Sequence, residues 1–204
     1  MSTLILARHG QSIWNAENRF TGWVDVPLNE KGREEAALGG KRLAAEHVHV
    51  DRAFTSTLDR AVETGTIILD ALGQADLEQV RAWELNERFY GALTGRDKAE
   101  TAKRFGAEQV HIWRRSYATP PPGGESLEDT TNRTLPYFQG VVLKACREVS
   151  TVLVSAHGNS LRAIVKVLDG LSDDQVTRLE IPTGVPIVYE LRNGKPLSKR
   201  VLDS

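Results

Sequence analysis

The chain has 204 residues, of which 40% are hydrophobic and 26% charged, and its formal net charge at pH 7 is −1. These values exclude wholesale disorder, a collagen-like repeat and a disulfide scaffold, and the near-neutral charge argues against general binding to nucleic acid or anionic membranes. A single cysteine, Cys146, and the lack of any apolar run near the roughly 20 residues of a membrane span predict a cytoplasmic protein.

The first part of the chain predicts a strand, a loop, a helix and a second strand. The apolar run from Thr3 to Ala7 predicts a buried strand that ends at Arg8-His9-Gly10. A loop rich in turn-forming residues follows it. Asn29 is then expected to cap a helix from Glu30 to about Glu46. Asp51 to Thr55 predicts a second, weaker strand.

The middle of the chain predicts mainly helices. Apolar residues on one helical face predict a helix between Leu58 and Leu72, and residues 76–82 predict a third strand. Residues 85–95 are rich in turn formers, and short helices are expected at about 97–105 and 108–116.

A proline-rich stretch from Thr119 to Gly124 is the clearest predicted loop. Ser126 and Asp129 have the spacing of a capping-box variant, so we expect a helix to begin there. Pro136 lies inside that helix and is expected to kink it or to end its first part.

The last part of the chain contains the strongest predicted strand, Thr151 to Ser155, which ends at Ala156-His157-Gly158. A helix with an apolar stripe from Leu161 to Leu168 follows, and Pro186 to Leu191 closes as a last strand. Strand–helix alternation throughout predicts one α/β domain, 1–204, with three α/β/α layers and a largely parallel central sheet.

Two histidines, His9 and His157, each follow an apolar strand directly and precede a glycine. Ligands of open parallel sheets bind at the carboxyl ends of the strands, so both side chains are expected on that edge. Each histidine alone is equally well explained as a hydrogen-bonded structural residue, but the matching contexts favour a shared site. One imidazole would then attack phosphorus, and a second, protonated imidazole would neutralise phosphoryl oxygens.

Several motifs in chain order resemble the histidine phosphatase superfamily, and within it the cofactor-dependent phosphoglycerate mutase branch. The matching blocks are Leu6-Ala7-Arg8-His9-Gly10-Gln11-Ser12, Trp14-Asn15, Asn18-Arg19-Phe20-Thr21-Gly22-Trp23, Asp25-Val26-Pro27-Leu28, Thr55-Ser56-Thr57-Leu58-Asp59-Arg60-Ala61, Leu85-Asn86-Glu87-Arg88-Phe89-Tyr90-Gly91-Ala92-Leu93, Lys98-Ala99-Glu100-Thr101, Trp113-Arg114-Arg115, Ala156-His157-Gly158-Asn159-Ser160-Leu161-Arg162 and Ile181-Pro182-Thr183-Gly184-Val185-Pro186. The resemblance covers almost the whole chain. It implies interconversion of 2-phosphoglycerate and 3-phosphoglycerate through 2,3-bisphosphoglycerate, a step of glycolysis and gluconeogenesis, in a dimer or tetramer.

The same resemblance implies roles for individual residues. His9 matches the residue that becomes phosphohistidine, and Glu87 matches the proposed general acid and base. The residues that match the clamp around the transferring phosphoryl group are Arg8, Arg60 and His157. The residues that match substrate contacts are Ser12, Asn15, Thr21, Gly22, Arg88, Tyr90, Lys98, Arg114, Arg115, Gly158 and Asn159.

Elementary chemistry is consistent with these roles. Phosphoryl transfer depends mostly on positioning and charge stabilisation, and a bisphosphoglycerate carries two phosphates and a carboxylate that require many cations. Glu87 has to take a proton from the attacking hydroxyl, and partial burial is expected to raise its pKa for that task. No metal is expected, because the only close histidine pair, His47 and His49, follows a predicted helix end without acidic or cysteine partners and is expected at the surface.

The chain departs from the family pattern in four places. Gln11 stands where glutamate is usual, Phe89 replaces a common histidine, the loop from Thr119 to Glu125 is short, and the sequence ends at Ser204 without a long tail. A short rim is expected to admit water. Three hypotheses therefore stand: a mutase, a phosphatase of the same superfamily acting on small phosphate esters, and a catalytically silent binding protein. A mutase is best supported by the residues around Glu87.

Overall fold

The structure is a computed structural model that describes residues 1–203. The strands are β1 (Ser2–Arg8), β2 (Arg52–Thr55), β3 (Gln79–Arg81), β4 (Thr151–Ala156), β5 (Pro186–Arg192) and β6 (Lys195–Val201). The helices are α1 (Ile13–Ala16), α2 (Glu30–Ala45), α3 (Asp59–Ala71), α4 (Lys98–Phe105), α5 (Ala107–Arg115), α6 (Leu127–Tyr137), α7 (Leu143–Glu148), α8 (Gly158–Asp169) and α9 (Asp173–Arg178). Short 3₁₀ turns span Trp83–Leu85 and Gly91–Leu93.

The six strands form one sheet in the order β3-β2-β4-β1-β5-β6. The pairs β3/β2, β2/β4 and β4/β1 are parallel, whereas β5 is antiparallel to both of its neighbours, β1 and β6. The predicted largely parallel sheet is therefore confirmed, with β5 as the one reversed strand. β1 and β4 lie side by side at the centre.

Helices cover both faces of the sheet, which confirms the predicted three layers. Alternate residues of β1 point to opposite faces, because side chains alternate along a strand. Leu4 and Leu6 pack into a core with α6, α7 and α8. Ile5 and Ala7 pack into a smaller core with α2 and α3.

The local predictions at helix ends are largely confirmed. Asn29 caps α2 by accepting a hydrogen bond from the Gly32 N–H, and Ser126 with Asp129 forms a capping box at α6. The first part of the helix, α6, ends at Tyr137, one residue after Pro136, as expected, and the chain continues as a π-helical turn at Phe138–Val142 and then as α7. The wider turn is a known way to accommodate a break in the helical ladder.

Three elements were not predicted from the sequence. β6 follows a two-residue hairpin at Asn193-Gly194, where both φ angles are positive (52° and 77°). Asn-Gly is the preferred pair for such a turn, so the signal was present. β6 was missed because its residues are exposed throughout and lack an apolar alternation. The other two elements, α1 and α9, are too short to show a helical period.

Candidate active site

The two histidines lie together at the carboxyl ends of the central strands. β1 and β4 pair in parallel with Arg8 opposite Ala156, and the His9 N–H donates to the Ala156 carbonyl at 2.9 Å. The two imidazole rings are consequently neighbours, with centroids 4.9 Å apart. The two similar motifs at the strand ends thus bring His9 and His157 together in one site.

His9 is held in one tautomer. Its Nδ1 lies 2.7 Å from the Gly10 carbonyl oxygen, and a carbonyl only accepts, so Nδ1 carries the proton and Nε2 bears a free lone pair. Burial, followed by the positive charges of Arg60 and Arg8, lowers the pKa of His9 well below 6.5. The ring is therefore neutral at pH 7, as a nucleophilic imidazole has to be.

His157 is fully buried at the N-terminus of α8, and its Nε2 lies 2.7 Å from the Ser56 hydroxyl. Burial, followed by the positive charge of Arg60 and the neighbouring His9, lowers the pKa of His157 well below 6.5. The imidazolium expected here from the sequence is therefore wrong, because His157 is neutral at pH 7. Desolvation and nearby cations disfavour a second positive charge.

Cationic side chains line a cavity of about 210 Å³ beside His9. They are Arg8, Arg19, Arg60, Lys98, Arg114, Arg115 and Arg162. Arg60 is 1% exposed, and its guanidinium donates to the carbonyls of Gly22 and Val24 at 2.7 and 2.9 Å. Burial lowers the pKa of Arg60 to about 10, so it remains charged at neutral pH. Arg8 is fixed by a 2.8 Å bond to the Ile181 carbonyl.

Glu87 faces the same cavity, and one of its carboxylate oxygens already accepts three hydrogen bonds. Its Oε1 accepts from the N–H of Arg88 at 2.7 Å and from the backbone and side-chain amides of Asn159 at 3.2 and 2.8 Å. Burial acts to raise the pKa of Glu87, but these bonds and the charges of Arg8 and Arg60 outweigh it, so the pKa is lowered. The expectation of a raised pKa for Glu87 is therefore wrong. The carboxylate is ionised and able to accept a proton.

The segment that carries Glu87 has no regular strand or long helix, and a buried arginine holds it in place. Arg133 donates to the carbonyls of Glu84, Asn86 and Glu87 at 2.9 to 3.1 Å. It also pairs with Glu125 at 2.8 Å, and the two side chains are only 9% and 19% exposed. Sequence analysis did not identify either residue, because they lie about 40 residues along the chain from Glu87.

Most of the remaining predicted contacts line the cavity, and three predicted residues do not. The lining includes Asn15, Thr21, Gly22, Tyr90, Lys98, Arg114, Arg115, Gly158 and Asn159. Ser12 is fully buried and caps α1, and His157 lies behind the lining. Arg88 is 1% exposed and donates to the Tyr90 hydroxyl and the Arg114 carbonyl at 3.3 and 3.2 Å. Arg88 therefore supports the wall rather than forming it.

Four lining residues were not selected from the sequence: Arg19, Phe20, Arg162 and Glu180. Three of them lie in or beside the quoted motif blocks, so position next to a motif was the available signal. Glu180 directly precedes the block that begins at Ile181, and it bridges two cations, pairing with Arg115 at 2.7 Å and with Arg162 at 3.6 Å.

Within residues 1–203, no three histidine, cysteine or acidic side chains are grouped as metal ligands. His47 and His49 are both exposed, as expected. No helix in the same range is long and apolar enough to cross a membrane.

Comparisons with known proteins agree on one family. The model of the histidine phosphatase superfamily (branch 1) matches residues 4–204. Phosphoglycerate mutase of Schizosaccharomyces pombe is 50% identical over 202 residues, covering 98% of this chain and 96% of the relative. The 2,3-bisphosphoglycerate-dependent phosphoglycerate mutase of Mesorhizobium japonicum is 51% identical with 98% of each covered. Among solved structures, phosphoglycerate mutase of Bacillus anthracis superposes with a TM-score of 0.74 at 27% identity, covering 98% of this chain and 91% of that one.

Proposed function

The chain belongs to the histidine phosphatase superfamily (branch 1), and from that premise we propose that it is a 2,3-bisphosphoglycerate-dependent phosphoglycerate mutase. It is an isomerase that interconverts 2-phosphoglycerate and 3-phosphoglycerate. The observation that carries the assignment is the pairing of His9 and Glu87 in one cation-lined cavity: a neutral imidazole with a free Nε2 beside an ionised carboxylate. A nucleophile and a separate base are what two successive phosphoryl transfers require.

In the first transfer, His9 carries the phosphoryl group on Nε2 and gives it to the free hydroxyl of a phosphoglycerate. The N–P bond breaks, an O–P bond forms, and Glu87 accepts the hydroxyl proton. Glu87 Oε1 already receives three hydrogen bonds, so Oε2 is the oxygen available to that proton. The nearby cations, among them Arg8 and Arg60, stabilise the charge on the equatorial oxygens.

In the second transfer, the bisphosphoglycerate has turned in the site, and His9 attacks its other phosphoryl group. The O–P bond breaks, the N–P bond is restored, and Glu87 returns its proton to the departing oxygen. Hydrogen bonds from Arg88 and Asn159, followed by the positive charges of Arg8 and Arg60, lower the pKa of Glu87 against the effect of burial. Bound phosphates neutralise those cations, which raises the pKa toward the value that an acid needs.

The cavity suits 2,3-bisphosphoglycerate as the primer that phosphorylates His9. Among the buried side-chain polar atoms of the described residues that have no hydrogen-bond partner, three belong to residues of the cavity lining: Nε of Arg8, Nε of Arg60 and the hydroxyl of Thr21. All three can donate, and they lie in residues that line the cavity. Arg8 and Arg60 would hold the phosphoryl group at His9, while Lys98, Arg114 and Arg115 would hold the distal phosphate and the carboxylate.

A histidine-type phosphatase that acts on small phosphate esters is the second candidate. It is favoured by the proline-rich loop, which packs against residues 89–92: the Pro122 carbonyl accepts from the Ala92 N–H, and Glu125 donates its N–H to the Phe89 carbonyl. Among the described residues, none between 116 and 157 lines the cavity. Water therefore has a path to phosphohistidine unless another element closes the site.

One assay separates these functions. The enzyme is given 3-phosphoglycerate with and without catalytic 2,3-bisphosphoglycerate, and both 2-phosphoglycerate and inorganic phosphate are measured. We expect 2-phosphoglycerate to dominate and to depend on the primer. Phosphate as the main product would support the phosphatase, and neither product would indicate a silent binding protein.

The proposal extends to the cell. We place the activity in glycolysis and gluconeogenesis, in the cytoplasm, and we propose a homo-oligomer, dimer or tetramer. Exposed apolar side chains on and beside the edge strand β3, Val80 and Trp83, support self-association. Light scattering on the purified protein tests the assembly, and a mass equal to the 22.6 kDa monomer would contradict it.

A further inference from the structure

Arg162 is a buried cation at the cavity for which neither the motif roles nor the reaction provides a use. It lies one turn into α8, its side chain is 12% exposed, and its three nitrogens reach three different acceptors. Nε donates to the Leu179 carbonyl at 2.7 Å, Nη1 to the side-chain oxygen of Asn159 at 3.1 Å, and Nη2 faces Glu180 at 3.6 Å. A planar guanidinium group that is held by acceptors on three sides has a single orientation.

The contact between Arg162 and Asn159 has a chemical consequence. An arginine only donates, so the atom of the Asn159 amide that it contacts has to be the oxygen. The amide nitrogen then points the other way, where it donates to Glu87 Oε1 at 2.8 Å. If the amide turned over, its oxygen would face a carboxylate oxygen, and those two acceptors would repel unless Glu87 were protonated.

We propose that Arg162 is a positioning residue that orients the Asn159 amide and thereby keeps Glu87 ionised in the resting enzyme. The inference rests on the proposed role of Glu87 as the base. Arg162 acts on the catalytic carboxylate through one intervening side chain. Glu180 and the Leu179 carbonyl fix Arg162 from the opposite side. The chain of contacts that ends at Glu87 therefore begins at the rim of the cavity.

Other charged and titratable groups also act on Glu87, and the test has to separate them. Arg8 at the end of β1 and Arg60 on α3 stabilise its negative charge, and Arg162 also contributes through space. Tyr90 and Lys98 face it from the adjoining segment and from α4. The proposal requires that most of the effect of Arg162 pass through the Asn159 amide.

The experiment is a ¹³C NMR titration of the Glu87 carboxyl in the ligand-free protein, with the signal assigned by its loss in Glu87→Gln. We expect Arg162→Met to raise the pKa of Glu87 by about one pH unit, the size of a lost hydrogen bond to a carboxylate. Arg178→Met is the matched control, because Arg178 is an exposed cation on α9 outside the cavity lining, and it should leave the pKa in place.

A double-mutant cycle distinguishes an effect of Arg162 that passes through the Asn159 amide from a direct electrostatic effect of its charge on Glu87. In an Asn159→Ala background, Arg162→Met should raise the pKa of Glu87 by no more than about a third of the rise that it causes alone. The amide that transmits the effect is already absent in that background. An equal rise in both backgrounds, or no rise in either, overturns the proposal. If Arg162→Met does not fold, Arg162→Lys completes the cycle. It should give a smaller rise of the same sign, since one ammonium cannot serve both acceptors.

Enzyme kinetics provide the second measurement. The acidic limb of the kcat/KM profile, which reports the free enzyme, should move to higher pH in Arg162→Met and stay in place in Arg178→Met. A rise in KM with an unchanged profile would make Arg162 a substrate contact and would overturn the proposal. The titration needs no substrate, so it still decides the question if the chain fails to interconvert phosphoglycerates.

Discussion

The two halves of the proposed catalytic site are positioned by different means. His9 and His157 end adjacent parallel strands at the centre of the sheet, where the backbone ladder alone sets their separation. Glu87 lies on an irregular segment, and side chains from far along the chain, chiefly Arg133 and Asn159, hold it in place. The strand ends are part of the most buried core. The Glu87 segment relies on a few hydrogen bonds, so its geometry is the easier one to disturb.

The largest effect is expected on the histidine side. His9→Ala removes the nucleophile and should abolish formation of phosphoenzyme from labelled 2,3-bisphosphoglycerate, with turnover reduced by at least about 10⁴-fold. His157→Ala should slow labelling without abolishing it. The label should be acid-labile and base-stable, as a P–N bond is. Label on His157 or on a serine would show that the nucleophile is misassigned.

Loss of the base is expected to have the next largest effect. Glu87→Gln keeps the size of the side chain but cannot accept the proton, so kcat should fall roughly 10²–10⁴-fold with a modest change in KM. Glu84→Gln, an acid three residues away and outside the cavity lining, is the control. EDTA should leave the wild-type rate unchanged. Full activity in Glu87→Gln would refute this mechanism. A loss of wild-type activity with EDTA that Mn²⁺ or Zn²⁺ restores would also refute it.

A smaller effect is expected from Arg133→Met, which tests the clamp on the Glu87 segment. The substitution frees three carbonyls and leaves Glu125 buried without its cation, which should cost about 3 kcal/mol in the free energy of unfolding. We expect kcat to fall about 10-fold or more as Glu87 loses its position. Arg52→Met breaks an exposed pair with Glu148 and should change stability by less than about 1 kcal/mol. Equal free energies of unfolding for the two variants in urea would show that Arg133 stabilises the protein no more than an exposed ion pair does.

The smallest effect is a pH dependence of the free energy of unfolding, which near pH 6 comes from the two histidines and not from Glu87. Because the pKa values of His9 and His157 lie below 6.5 in the folded protein, the unfolded chain binds more protons below that pH. The corresponding stability is complete above pH 6.5 and declines as the pH falls below it. Glu87, also lowered, contributes in a separate window that begins below pH 4.5.

Urea unfolding at pH 7.5 and 5.5 measures this dependence. Wild type should be less stable at pH 5.5, and His157→Asn should narrow the difference. A wild-type protein that is equally stable at both values would show that the two rings are not held neutral.

The same contrast explains what could be predicted from the sequence. The histidines were located by apolar runs ending in His-Gly, because a local pattern specifies a buried strand and the sheet edge then follows. The ionisation state of His157 and the direction of the pKa of Glu87 were wrong. Both depend on which groups the fold brings near, such as Arg60 and Asn159, and spacing along the chain contains no distances. Arg133 was missed for the same reason.

The concentration of cations at one cavity also shapes encounters in solution. Seven cationic and two acidic side chains line the cavity, yet the whole chain has a net charge of −1, so the remaining surface is distinctly negative. Such a molecule has a strong electric dipole, with its positive end at the entrance to the cavity. Small multiply charged anions are drawn to that end as they diffuse, whereas long polyanions meet repulsion from the surrounding surface. Added salt shortens the reach of this field, so capture of phosphoglycerates slows with ionic strength while chemistry inside the cavity is little changed.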